Sequence, residues 1–218
     1  MNKARDNILA RLRARSTEIP PVELDRGFRS PDWNRQQRIE LFCKAMTSVR
    51  TEIHRVRASD WADRLAQLVK ERKLNNLLYA PNGPLARQIE AAWRNGEALP
   101  ELVSRTAELD EWKEELFFGI DAAITSTRGG IAEVGALILW PTPQEPRSFS
   151  LVPPIHIAVV KADQLHNTFA DAIADENWQA GMPTNAVLIS GPSKSADIEQ
   201  TLAYGVHGPV ELIVLLIE

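Results

Sequence analysis

The chain contains one cysteine, Cys43, among 218 residues. A disulfide framework is therefore excluded, and a reducing compartment such as the cytoplasm is the expected location. An iron–sulfur cluster needs several cysteine ligands and would have to sit on another protein. Histidine is also scarce: four residues, with no His-x-x-x-His and no Cys-x-x-Cys spacing, so no dedicated zinc site is expected. No apolar run approaches the roughly 18 residues of a membrane span, and no signal-peptide core follows Met1. The net charge of −4 is too small to point to nucleic acid or a membrane surface. No dinucleotide fingerprint is present. The stretch Gly191-Pro192-Ser193-Lys194-Ser195 lacks the glycine that precedes lysine in a phosphate-binding Walker loop. What remains is ordinary globular composition, long enough for one large domain or a domain with an extension.

Residues 2–15 place Ala4, Ile8, Leu9 and Leu12 at helical spacing among basic residues, predicting an amphipathic helix that docks on the domain or on a partner. Residues 16–32, with Pro20, Pro21 and Pro31, read as an extended linker. A second helix follows over 34–49, its stripe made by Leu41, Phe42, Ala45, Met46 and Val49, with Cys43 as a small apolar packer beside it. Residues 1–49 are thus expected to form a helical extension, and 50–218 an α/β domain. Within the latter, strand and helix alternate: 51–56, a helix capped by Ser59, 76–80, a helix after Pro84, 101–106, and a helix over 108–116. Such repetition implies a mostly parallel sheet with flanking helices and right-handed crossovers.

At 120–140 two apolar strands flank Arg128-Gly129-Gly130-Ile131-Ala132-Glu133-Val134-Gly135, with no room for a crossover helix, so a hairpin or bulged corner is expected. Gly130 and Gly135 would allow close approach of backbone to a ligand. Arg128 could fork onto a carboxylate and Glu133 could serve as base or nucleophile; alternatively the two form a surface ion pair. The proline-rich stretch 141–154 leads into a central strand at 155–160 that begins with His156, a position more often taken by a hydrogen-bonded core histidine than by a catalyst. Between a strand at 185–189 and the last strand at 210–217, the segment 190–209 reads as loop, helix and loop. Its first helical turn would carry Ser193, Lys194, Asp197 and Glu199, either as an anion site aided by Lys194 or as ordinary capping of a helix dipole by serine and acids. His207 lies between Gly205 and Gly208 in a turn that can aim a side chain into a cleft, and replacing Gly208 is expected to damage folding or the site geometry if that glycine needs positive φ. In an open α/β sheet, loops at the carboxyl ends of strands hold the ligand.

Three stretches in order carry a resemblance: 130–139, Leu151-Val152-Pro153-Pro154-Ile155-His156, and 191–199 followed by Gly205-Val206-His207-Gly208-Pro209. Together they resemble the motifs of the lactate-utilisation protein C family, the LUD domain. The family commonly has Glu-Thr-Gly-[Thr/Ser] where this chain has Glu133-Val134-Gly135-Ala136, so two hydroxyls are missing. The resemblance implies a fold similar to the sugar-phosphate isomerase and CoA-transferase group. It further implies a role in oxidising L-lactate to pyruvate beside partner proteins that carry the iron–sulfur clusters. Two functions follow. One is an accessory or substrate-binding subunit, with Arg128, Lys194 and His207 around a small carboxylate and Gly191 and Gly208 shaping the site. The other is a separate enzyme of the CoA-transferase or formyltetrahydrofolate cyclo-ligase kind, acting on a small carboxylate or phosphorylated metabolite through Glu133.

Overall fold

The computed structural model describes residues 3–14, 30–104, 109–196 and 202–218. Helix α1 (Lys3–Ala14) leaves Ile8 and Leu12 exposed. Helix α2 (Arg35–Ser48) starts at a capping box, in which the Asn34 side chain accepts from Gln37 N–H and the Gln37 side chain accepts from Asn34 N–H. Its stripe is Ile39, Phe42 and Met46, all fully buried. These residues join the core beside the sheet residues Ala158, Val160, Leu212 and Val214.

Strands β1 (Glu52–Val56), β2 (Asn76–Leu78), β3 (Glu101–Val103), β4 (Ala122–Ser126), β7 (Ile155–Lys161) and β12 (Glu211–Ile217) make one parallel sheet, in the order β1-β12-β7-β4-β2-β3. The central strands are apolar on both sides, as a sheet covered on both faces requires. Helices α3 (Trp61–Glu71) and α4 (Ala86–Asn95) cover one face, where Trp61, Leu65, Leu68 and Ile89 meet Ile124, Ile157 and Ile213. Contrary to the expected cap, Ser59 donates to the Asp60 side chain and α3 begins without a side-chain cap.

On the other face, α2 packs on Ala158, Val160, Leu212 and Val214. Helices α5 (Leu109–Phe118) and α6 (Ser148–Leu151) supply Trp112, Leu116 and Phe149 beside Leu78 and Ala123.

A second sheet sits on this same face. At the end of β4 the chain leaves the parallel sheet and forms a hairpin of β5 (Gly129–Ile131) and β6 (Ala136–Leu139). This hairpin is extended by β8 (Leu165–His166) and β9 (Val187–Ile189) into the order β8-β5-β6-β9. Leu137, Leu165 and Ile189 face the α2 core, whereas Ile131 and Ile138 face Ala172 of α7 (Phe169–Asp175) and Trp178. The expected corner is present, but the strand expected at 185–189 belongs to this antiparallel edge and not to the parallel sheet.

The helix expected after Ser193 is replaced. Lys194–Ala196 (β10) pairs antiparallel with Leu202–Tyr204 (β11), Lys194 opposite Tyr204. A helix there would offer Ile198 and Leu202 as its large apolar residues, too few for a buried stripe. The ribbon instead brings Tyr204 beneath the guanidinium of Arg50, 4.5 Å from the ring centre.

Candidate functional site

The prolines 153 and 154 keep the chain extended before β7, so His156 is placed at the second position of that strand, beside Leu212 of β12. Both residues lie at the amino end of the parallel sheet. Above them is a cleft of about 290 Å³, bounded by Ser150 and Leu151 of α6, by β9 with the following residues 190–193, and by His207, Gly208 and Pro209. The base of the ribbon is fixed by backbone bonds: Ser193 N–H donates to Pro209 C=O (2.8 Å) and Gly205 N–H to Ser193 C=O (3.0 Å). Val210 N–H donates to Pro154 C=O (2.8 Å), which ties the last turn to the start of β7.

His156 is fully buried, and its Nε2 lies 2.9 Å from Thr125 Oγ1. Burial without a compensating charge lowers its pKa to about 3, so the imidazole is neutral. Its Nδ1 has no hydrogen-bond partner. His207 is exposed at the rim, and Ser150, Ser190 and Ser193 supply hydroxyls. Among the described residues, no Lys, Arg, Asp or Glu lines this cleft.

Of the residues expected to form the site, the cleft gathers Gly191, Ser193, His207 and Gly208. Lys194 is exposed on the ribbon and lies outside the lining. Asp197 and Glu199 lie outside the described residues. Gly208 does not have positive φ; Gly205 does, at +76°. Arg128 does not pair with Glu133. Its guanidinium donates to the Glu176 carboxylate and stacks 4.3 Å from the ring centre of Trp140. Glu176 in turn lies 3.6 Å from His166. Glu133 is exposed, its N–H donating to Asn167 C=O at 3.0 Å. None of these lines the cleft.

The glycines that looked suited to a ligand meet α2 instead. A Cβ on Gly130 would lie 3.1 Å from Phe42 Cε2, on Gly135 2.5 Å from Ala45 Cβ, and on Gly191 2.9 Å from Val49 Cγ2. The Gly-rich corner and the Gly191 loop are thus brought together, with α2 and its C-terminal end lying against both.

Two site features had little signal in the sequence. Ser150 sits in a four-residue helix inside a proline-rich stretch, and its Oγ donates to Arg147 C=O at 2.9 Å. Glu145, in the same proline-rich stretch, tucks its carboxylate onto Ser126, accepting from the backbone N–H at 3.3 Å and from the hydroxyl. Burial raises its pKa, opposed by those bonds. Cys43 is half-buried beside the α2 core, and burial raises its thiol pKa as well. Among the described residues, no three His, Cys, Asp or Glu side chains converge where they could hold a metal ion, and no helix is long and apolar enough to cross a membrane.

Comparison with known proteins bears on the family and the fold. An uncharacterized protein of Neisseria meningitidis serogroup B is 39% identical over 98% of this chain and 93% of its own length. Lactate utilization protein C 1 of Bacillus mycoides is 27% identical over 90% of this chain and 88% of its own. Lactate utilization protein C of Bacillus subtilis is 37% identical over 44% of this chain and 42% of its own length. A crystal structure of a DUF162 family protein from Deinococcus radiodurans superposes with a TM-score of 0.61 at 22% identity, covering 85% of this chain and 99% of that one, which supports the fold. The sequence model of the LUD domain matches residues 39–217, from the core stripe of α2 to the end of β12, and the chain belongs to the LUD domain family.

Proposed function

We propose that this protein acts in lactate utilisation, as an accessory, ligand-binding subunit of an assembly whose other members carry iron–sulfur clusters, with the cleft above His156 as its ligand site. The observation that carries the reading is the match over nine-tenths of the chain to a protein named for lactate utilisation. Oxidation of L-lactate to pyruvate releases two electrons and two protons. With one cysteine and no dinucleotide fingerprint, this chain does not itself supply the electron acceptor. Its contribution is then to bind and orient a small carboxylate in a water-restricted cleft while partners take the electrons.

Deletion of the gene tests this. Growth on L-lactate as sole carbon source should be lost, growth on pyruvate retained, and the purified complex should contain iron–sulfur proteins. Unimpaired growth on L-lactate together with purification of the chain alone would overturn the proposal.

A further inference from the structure

His156 is fully buried, lines the cleft, and uses Nε2 in a 2.9 Å contact with Thr125 Oγ1 while Nδ1 has no partner. A neutral imidazole carries one N–H, and its place can be worked out from Thr125. This threonine is itself buried, and among the described residues its hydroxyl bonds to His156. If Nε2–H donated to Thr125 Oγ1, the buried threonine proton would be left without an acceptor. If the threonine hydroxyl donates to Nε2, the hydroxyl and Nε2 are both satisfied, and the imidazole proton resides on Nδ1 without a partner. A buried donor without a partner costs about 1–3 kcal/mol, which an incoming acceptor recovers.

We propose that His156 binds the ligand of this cleft as a neutral donor through Nδ1–H, and that the ligand is a short carboxylic or carbonyl compound, not a phosphorylated one. The assignment of ligand class follows from the lining. A phosphate group carries up to two charges and is met by Arg, Lys or a row of helix N–H groups, and among the described residues the cleft presents none of the charged ones. Val187, Ile189, Leu151 and Leu212 form an apolar wall for a compact carbon skeleton, and Ser190 and Ser193 add hydroxyls beside the histidine. At about 290 Å³ the space suits a molecule of a few heavy atoms and not a coenzyme thioester.

The inference rests on the cleft being the ligand site proposed above, yet its test is separate from the growth test: normal growth of the deletion strain would remove the lactate role and leave the donor assignment standing. The first measurement is the ¹⁵N spectrum of histidine-labelled full chain, with and without L-lactate or pyruvate, and with inorganic phosphate as the comparison. Between about pH 5 and 8 His156 should be neutral with its proton on Nδ1, and L-lactate or pyruvate should shift that proton whereas phosphate should not. A proton on Nε2, or a shift given by phosphate and not by the carboxylates, overturns the proposal.

The second measurement is affinity in two variants. In His156→Asn the amide nitrogen lies one bond from Cγ, as Nδ1 does; in His156→Gln the amide reaches toward Thr125 and leaves the cleft without a donor. Asn should keep binding within a few-fold and Gln should lose at least about tenfold. Equal binding by wild type and Gln would indicate that Nδ1 is satisfied by water and refute the donor role. Should either variant fail to fold, the wild-type spectrum decides.

Discussion

Gly135→Ala separates a glycine kept for a ligand from one kept for packing. Gly135 has φ of +59°, a left-handed conformation that strains a residue bearing a Cβ by about 1–2 kcal/mol. The added Cβ would also lie 2.5 Å from Ala45 Cβ and 2.9 Å from Met46 N on α2, the second being backbone that has no rotamer with which to yield. Overpacking of that kind costs about 1–3 kcal/mol. Together these amount to roughly 2–5 kcal/mol, or a fall in melting temperature of roughly 4–20 °C for a chain of this length. Urea and thermal unfolding of the full chain measure it. The clash has an identifiable partner, so the double variant with Ala45→Gly provides an internal check. Glycine inside α2 costs about 1 kcal/mol alone, but it removes the methyl group that the new Cβ strikes, and the two changes should couple by about 1–3 kcal/mol. A Gly135→Ala protein with wild-type stability and lost binding of small carboxylates would refute this reasoning and return the glycine to the ligand.

The turn before β12 allows a similar comparison: Gly205→Ala, at φ +76° and 2.4 Å from Val210 Cγ2, should cost about 2–4 kcal/mol. Gly208→Ala, without positive φ and 3.2 Å from Ser193 Cβ, should cost less than about 1 kcal/mol. The reverse order in denaturation midpoints would contradict the assignment. Because burial lowers the pKa of His156 from 6.5 to about 3, the unfolded chain takes up the proton first on acidification. Stability from this group is complete above pH 6.5 and is lost as pH falls toward 3, at about 1.4 kcal/mol per pH unit. Urea midpoints of wild type against His156→Asn should therefore converge as pH falls through that window, and parallel curves would sink the claim. Arg128→Lys keeps the charge but loses the planar stack on Trp140 and the Nε–H bond to Glu176. It should cost about 1 kcal/mol while leaving carboxylate affinity in the cleft unchanged, and a tenfold affinity loss at constant midpoint would reassign Arg128 to the ligand.

Elements with a strong period were legible in the sequence, and residues whose role depends on distant chain were not. Phe42 and Met46, or Trp61, Leu65 and Leu68, mark a buried stripe that any packing partner would satisfy, whereas Ile39 was missed and Leu41 and Val49, expected in the stripe, are half-buried and exposed. The alternation of strand and helix fixed a parallel sheet because short crossovers admit little else. The segment after Ser190 failed for the opposite reason: serine, lysine and acids are compatible with a capped helix, and what decides for a ribbon is Arg50 over the Tyr204 ring and the Ser193–Pro209 bond. Arg128 and Glu133 are five residues apart on one corner, yet the pairing partner of the arginine is Glu176, 48 residues along. Glycine carries the same ambiguity. Close approach of a ligand was expected at Gly130 and Gly135, but a Cβ there would meet Leu165 and Phe42, and Ala45, contacts with distant chain that no local pattern reveals.

The position of the cleft also runs against the rule that ligands of open α/β sheets bind at the carboxyl ends of the strands, where successive connections leave in opposite directions. That crevice exists here between β2 and β4: α4 leaves β2 for one face, and α5 returns to β4 on the other. It is occupied by the chain itself. The loop before α6 lays Glu145 on the end of β4, its Oε1 3.1 Å from where a Cβ of Gly83 would stand, and Ser126 binds the carboxylate. The same loop then enters α6, whose Ser150 reaches the cleft at the opposite, amino end. The rule describes crevices left open by diverging helices, and a carboxylate from the chain's own loop closes this one. The second sheet opens another space by standing on the amino end of β7, where His156 is left with one unsatisfied nitrogen.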